Sequence, residues 1–258
     1  MRLQDKVAVV TGGGRGIGRA IALALAREGA DVVVIARTTN EIEEVAAEVK
    51  ALGRTGLALP VDLSQREAIQ PCVQEIFSHL PTVHILVNNA AIGGAQDPKL
   101  ISEYDDAFWD LSLLVNLTVP YLLTKAFLPP MIAQGWGRII NISSGSGKRG
   151  AVHRAAYTAT KHGLLGLTKT AALETASKGV TVNAICPGPV RTVMLTRLLQ
   201  HRADLQGTTL AEVEKSVNPM RRVLEPEEIA DLTVYLASDA AHGITGQSLN
   251  VNGGSLMH

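Results

Sequence analysis

At 258 residues the chain could hold one large α/β domain or two small ones, and with 46% apolar but only 3% aromatic residues its core must be built from Ala, Val, Ile and Leu. Lys and Arg together number 24, as do Asp and Glu, a balance that argues against nucleic acid or an anionic membrane as the main partner. Cys72 and Cys186 stand far apart without metal-ligand or disulfide spacing, and neither the opening "MRLQDKVAVVTGGG" nor any later segment reads as a signal peptide or an uninterrupted membrane span, so a soluble cytoplasmic protein is expected.

Short apolar runs alternate with helix-period segments along the whole chain. "KVAVV" (6–10) reads as a first strand, followed by a glycine-rich turn and a helix with Ile17, Ile21 and Leu25 at four-residue spacing, stopping at Gly29. "DVVVIA" (31–36) is the second strand. The next helix carries Ile42, Val45, Val49 and Leu52 on one face, with Asn40 and Glu43 as its capping pair and Gly53 as its stop. "GLALPVD" (56–62), "HILVNNA" (84–90), "GRIINISS" (137–144), "VTVNAICPG" (180–188) and "QSLNVNGG" (247–254) repeat the strand signature. Strands that are apolar throughout are buried on both faces, and their alternation with helices predicts right-handed crossovers: an α/β fold, a doubly wound parallel sheet of Rossmann type, in one domain over 1–258. Ligands of such sheets sit beyond the carboxyl ends of the strands, so the irregular stretch at about 188–222 is expected to be a substrate lid.

"TGGGRGIG" (11–18) sits between the first strand and the first helix. Gly12, Gly16 and Gly18 would let backbone approach a pyrophosphate, and the helix start at Gly16, Ile17 and Gly18 would offer it free N–H groups. An acidic residue at the end of the second strand would bind a free ribose 2′-hydroxyl. Here Ala36 stands there, followed by Arg37, whose guanidinium can pair a 2′-phosphate; Arg15 would add a second positive charge. The missing acid favours NADP(H) over NAD(H), against the reading of two solvated arginines. Asp62 could accept from an adenine amino group, cap the following segment, or do both.

Further on, "YTATK" (157–161) puts a tyrosine one turn before a lysine, which taken alone is ordinary helix surface. "NNAA" (88–91) and "NISS" (141–144) end two strands, and Ser144 lies thirteen residues before Tyr157. Asn116 is a polar residue within an apolar helical segment. Combined as T-G-x-x-x-G-x-G, N-N-A, S-to-Y-x-x-x-K and P-G, these motifs resemble the short-chain dehydrogenase/reductase family nearly end to end. The chain departs from the family at Ala91, where N-N-A-G is common, and at Asn252, where many members have D-G-G.

The resemblance implies that Tyr157 protonates a carbonyl oxygen, that Lys161 lowers the phenol pKa and binds the nicotinamide ribose, and that Ser144 donates to the substrate oxygen. It implies a water relay at Asn116 and cofactor contacts at Asn89, Pro187, Val190 and Thr192. His153 is expected to contact substrate or serve the structure, and His162 to point off the catalytic face; no metal is needed. Within the family the chain looks closest to 3-oxoacyl-carrier-protein reductases and polyketide ketoreductases. The resemblance implies an NADP(H)-dependent oxidoreductase reducing a ketone or 3-oxoacyl-type small molecule, carrier- or CoA-linked in one version. An NAD-linked dehydrogenase of a sugar or cyclic alcohol and a non-catalytic dinucleotide-binding module are the alternatives.

Two expectations concern surfaces. On a lid helix, Val193, Met194, Leu195, Leu198 and Leu199 would cover the site while Arg191, Arg197 and Arg202 met an acidic carrier; a plain amphipathic helix fits as well. Segments 113–132 and 155–174 carry more apolar surface than one sheet face needs, and relatives pair these helices into tetramers, so a homotetramer is expected.

Overall fold

The computed structural model describes residues 1–93 and 98–257, with the backbone alone at Met194 and Arg197. Seven parallel strands form one sheet in the order β3-β2-β1-β4-β5-β6-β7: β1 (Val7–Thr11), β2 (Asp31–Ala36), β3 (Gly56–Pro60), β4 (Ile85–Asn88), β5 (Gly137–Ile142), β6 (Val180–Pro187) and β7 (Ser248–Val251). The expected doubly wound fold is the observed one. Every residue of β1, β4, β5 and β6 is buried, which is why these strands read as apolar runs rather than alternating ones.

Helices cover both faces. On one side α1 (Gly16–Arg27) packs against α2 (Thr39–Ala51) and α9 (Pro226–Ala237), burying Ile21, Leu25, Ile42, Val45 and Ile229 against the sheet. On the other lie α3 (Ile69–His79), α4 (Asp106–Leu113), α5 (Val119–Ala133) and α6 (Ala155–Thr175). The stretch Asp106–Ala133 is long and apolar enough to cross a membrane by length and composition, which the sequence reading did not anticipate. Its apolarity has a use in the fold: Val119, Leu123, Phe127 and Met131 are in the core.

The α2 cap differs from expectation. The chain leaves β2 through only Arg37 and Thr38 before the helix begins at Thr39, so Asn40 falls inside the first turn and cannot cap it; Thr38 is the N-cap and makes no side-chain cap bond. Gly53, at φ +76°, ends the helix as expected.

The segment at 188–222 is not irregular throughout. Thr192 caps α7 (Val193–Gln206), its Oγ1 accepting from the Leu195 N–H at 3.3 Å, and α8 (Leu210–Lys215) follows. Leu195 and Leu199 turn toward Val213 and Val223 to make a small core of their own, so the expected single apolar face is divided, with Val193 and Leu198 left exposed. Of the expected lid residues, the side chains of Met194 and Arg197 lie outside the described residues.

Candidate active site

The strand order reverses direction between β1 and β4, and the loops leaving those strands meet there. Thr11 fastens the meeting point: its Oγ1 accepts from the N–H groups of Asn89 and Ala90, both at 3.0 Å. The Asn89 amide donates to the carbonyls of Thr11 (2.9 Å) and Gly12 (3.1 Å). Gly12 has φ +63°, and a Cβ on Gly18 would stand 2.2 Å from the Gly12 oxygen, so neither position admits a side chain without moving backbone. No side chain caps α1, and its first turn carries no acid. The N–H groups at Gly16, Ile17 and Gly18 are therefore left for an anion, which fits the pyrophosphate of a dinucleotide.

Thr192 abuts the same turn, and an open cleft of about 460 Å³ runs between them, lined by Gly16, Arg191, Thr192, Val193 and Thr196. Pro187 ends β6, buried, and Val190 is held by a parallel bridge to Leu224. At the end of β2, Arg37 is exposed and makes no hydrogen bond or ion pair among the described residues; its charge helps hold Asp62 below the usual carboxylate range. The larger influence on Asp62 is Ser64, whose N–H and hydroxyl donate to one carboxylate oxygen at 3.0 and 2.8 Å. Asp62 thus caps its turn and keeps the second oxygen for another partner. Arg15 is not a free charge: it lies 3.5 Å from Glu41.

A buried polar chain sets the height of the other half of the site. Asn88 donates to Asn141 (2.8 Å), Asn141 to Thr168 (2.9 Å), and Thr168 to the Leu164 carbonyl (2.8 Å), locking β4, β5 and α6 together. Ser143 adds a bond to the Lys161 carbonyl at 3.2 Å. These fix Ser144, just beyond β5, opposite Tyr157 and Lys161 on α6.

Lys161 is 2% exposed, donates from Nζ to the Ile142 carbonyl at 2.8 Å, and stands 5.6 Å from the Tyr157 ring centroid. Burial brings its pKa down to about 8. Tyr157 keeps part of its ring surface open, yet burial pushes its phenol above its ordinary value; the hydrogen bond with Ser144 and the charge of Arg154 work the other way. Lys161 is not among the groups that shift the phenol here. Its ammonium is committed to the Ile142 carbonyl, and burial is the largest influence on the phenol.

Asn116 is 1% exposed and sits in a single π-helical turn, Leu114–Thr118, between α4 and α5. Its Oδ1 accepts from the Ile92 N–H (2.7 Å), and its amide donates to the Ile92 carbonyl (3.1 Å) and Thr160 Oγ1 (3.3 Å). Both amide hydrogens are in use, so this side chain anchors the loop after β4. His153 is exposed at φ +64°, and His162 is exposed with Nδ1 donating to the Thr158 carbonyl. No group of three metal-ligating side chains occurs among the described residues.

The sequence that builds this architecture is matched by a family model. Residues 6–203 match the model of short chain dehydrogenase. The chain belongs to the short-chain dehydrogenase/reductase family. It is 39% identical to a D-beta-hydroxybutyrate dehydrogenase of Rhizobium meliloti, over 96% of this chain and 98% of the relative. It is 40% identical to a 3-oxoacyl-[acyl-carrier-protein] reductase of Pseudomonas aeruginosa, over the full length of both. Among solved structures, carveol dehydrogenase from Mycobacterium avium in complex with NAD superposes with a TM-score of 0.92 at 30% identity, covering 100% of this chain and 99% of that one. The protein is thus an oxidoreductase of a family of enzymes that bind a nicotinamide dinucleotide and act on small molecules.

Thr11, Thr160 and Arg154 were missed by sequence reasoning. Thr11 had a signal, a polar residue closing an apolar strand; the other two had none in the local pattern.

Proposed function

We propose that the protein is an NADP(H)-dependent carbonyl reductase acting on a ketone or 3-oxoacyl-type substrate, with Tyr157 as the acid and Ser144 as the donor to the carbonyl oxygen. The observation that carries this reading is the convergence of Ser144, Tyr157 and a buried Lys161, together with an unpaired Arg37 and no carboxylate at residue 36 at the end of β2.

A bound dinucleotide supplies the hydride that reduces the carbonyl carbon and is itself oxidised. Tyr157 gives its proton to the carbonyl oxygen, yielding the alcohol. A raised phenol pKa suits this direction, since the tyrosine stays protonated at neutral pH. Ser144 steadies the oxygen as negative charge grows. Lys161 is a positioning residue within reach of a ribose; the proton that Tyr157 gives up is restored from solvent by way of Lys161, with the relaying water at the main chain of Asn116 because that side chain's amide hydrogens are occupied. Thr192, Val190, Pro187 and Asn89 line the dinucleotide's path, while Asp62 takes the adenine end.

Helices α7 and α8 act as the lid over a single catalytic domain. A carrier protein is less well served than the sequence implied, because the exposed Arg191 is tied to Glu214 (2.6 Å) and Glu225 (2.8 Å); Arg202 is exposed and has no ion pair among the described residues. Leu173 on α6 and Tyr121 on α5 are exposed apolar surface, 83% and 44%, which supports a homotetramer paired through these helices, working in the cytoplasm. The NAD carried by the carveol dehydrogenase structure favours a second reading, an NAD-linked alcohol dehydrogenase. The test is NADPH and NADH oxidation against a panel of oxo acids, 3-oxoacyl thioesters, cyclic ketones and sugars. Turnover of an oxo compound with NADPH supports the proposal; NAD-linked oxidation alone supports the second reading.

A further inference from the structure

Beside Tyr157 lies a second cleft, of about 340 Å³, lined by Pro98, Val152, His153, Arg154 and Leu198. It opens between the start of α6 and the lid helix α7. Three of its lining residues are apolar, and Val152 and Leu198 are exposed, so it offers a short alkyl chain somewhere to lie.

Arg154 is the charged group in this wall whose state needs explaining. Its side chain has no hydrogen bond and no ion pair among the described residues, and the first turn of α6 carries no acid to neutralise it. Yet it is withdrawn from solvent. The other arginines among the described residues that are not fully exposed, Arg54 and Arg138, both pair with aspartates: Arg54 with Asp31 at 3.3 Å, and Arg138 with Asp239 at 3.0 Å. Partly burying a guanidinium without a counter-charge costs stability, which a bound anion would offset. His153, immediately before it, is held at φ +64°, in the left-handed region that few residues with a side chain adopt. The Arg154 charge is also felt at the Tyr157 hydroxyl, so the two groups can engage one small molecule together.

We propose that Arg154 is a specificity-determining residue that pairs the carboxylate of the substrate, making the preferred substrate a small oxo acid rather than a neutral ketone or thioester. The proposal rests on the reading of Tyr157 as the acid at the reacting carbonyl, three residues along the same helix. A planar guanidinium matches a carboxylate bidentately, and the pair is charge-assisted. A neutral thioester in the same place would leave Arg154 desolvated and unpaired, which disfavours it.

The experiment compares 2-, 3- and 4-oxopentanoate with their ethyl esters in NADPH-dependent reduction by the wild type, Arg154→Gln and Arg154→Lys. The wild type should prefer at least one acid over its ester. Arg154→Gln should lower kcat/KM for that acid about 10- to 100-fold more than for the ester, mainly through KM, as expected for loss of one charge-assisted contact. Arg154→Lys should recover part of the preference, because the charge survives and the fork does not. Equal losses on acid and ester, or a wild type that prefers every ester, would overturn the proposal. A binding arm separates this from failure of the reductase reading. Calorimetry of the same acids and esters with dinucleotide-loaded Tyr157→Phe should show acid binding that disappears on adding Arg154→Gln, whatever the turnover; acid binding that survives the second change refutes the role of Arg154.

Discussion

The nucleotide end and the substrate end of this site are built differently. Around the glycine turn the polar groups are largely committed: Thr11 and Asn89 knit β1 to β4, Asp62 serves Ser64, and Arg15 is tied to Glu41. At the substrate end Arg154 is unpaired, His153 is in a left-handed conformation, and Val152, Val193 and Leu198 face solvent. The first is a frame for a ligand common to a whole family. The second is surface whose charge and apolar groups have no partner within the described residues. Arg37 is the exception within the first region, unpaired where the ribose phosphate is expected.

The largest effect should come where the two regions meet. Tyr157→Phe removes the assigned proton donor while leaving a ring to pack, and general acid catalysis contributes roughly 10²–10⁴ in rate. Steady-state reduction should fall by at least that much with dinucleotide affinity unchanged, read by fluorescence titration. Near-normal turnover would remove Tyr157 from the mechanism.

Gly18→Ala should act on the committed end alone. The new Cβ would stand 2.2 Å from the Gly12 oxygen and 2.5 Å from the Asn89 amide nitrogen, so backbone must move. A cost of about 1–3 kcal/mol in denaturant-unfolding stability is expected, together with weakened dinucleotide binding. A variant as stable as the wild type, with intact binding, would show that the turn is looser than its geometry implies.

Lys161 sharpens the comparison through its proton. In the dinucleotide-free protein burial places its pKa at about 8 against an ordinary 10.5, so between those values the unfolded chain binds the extra proton. Relative to Lys161→Met, wild-type stability should be independent of pH below about 8 and rise from there toward 10.5. The lysine should titrate near pH 8 by carbon-13 NMR of the labelled side chain. A midpoint near 10.5 would mean that water reaches the ammonium.

Much of this was legible because the central strands β1, β4, β5 and β6 are short and buried on both faces, so the strand segments and their βαβ order followed largely from apolar runs. The positions of the glycine turn, Ala36 and Arg37 were legible because they are set by distance along the chain from the first two strands. What escaped was tertiary. The start of α2 moved because the loop after β2 is only Arg37 and Thr38, which strands Asn40 inside the helix. The pairing of Arg191 joins residues 23 and 34 positions away, beyond any local pattern. The π-helical turn at Asn116 shifts backbone register without changing the hydrophobic period enough to be seen. The electrostatic effect of Lys161 on Tyr157 depends on burial, which five residues of helix do not reveal, and Arg154 opens its helix without acting as a side-chain cap.

The most direct test of the account is the ratio of kcat/KM for NADPH to that for NADH, measured in reduction of one oxo substrate by the wild type and by Arg37→Ala. A charge-assisted contact between Arg37 and a 2′-phosphate is worth about 1.5–3 kcal/mol, so the wild type should favour NADPH by roughly one to two orders of magnitude, and Arg37→Ala should lose most of that preference. Adding Ala36→Asp should then turn the preference toward NADH, mainly through KM. A wild-type enzyme that uses NADH as well as NADPH, or a ratio that Arg37→Ala leaves untouched, would contradict the reading of this site as NADP(H)-dependent.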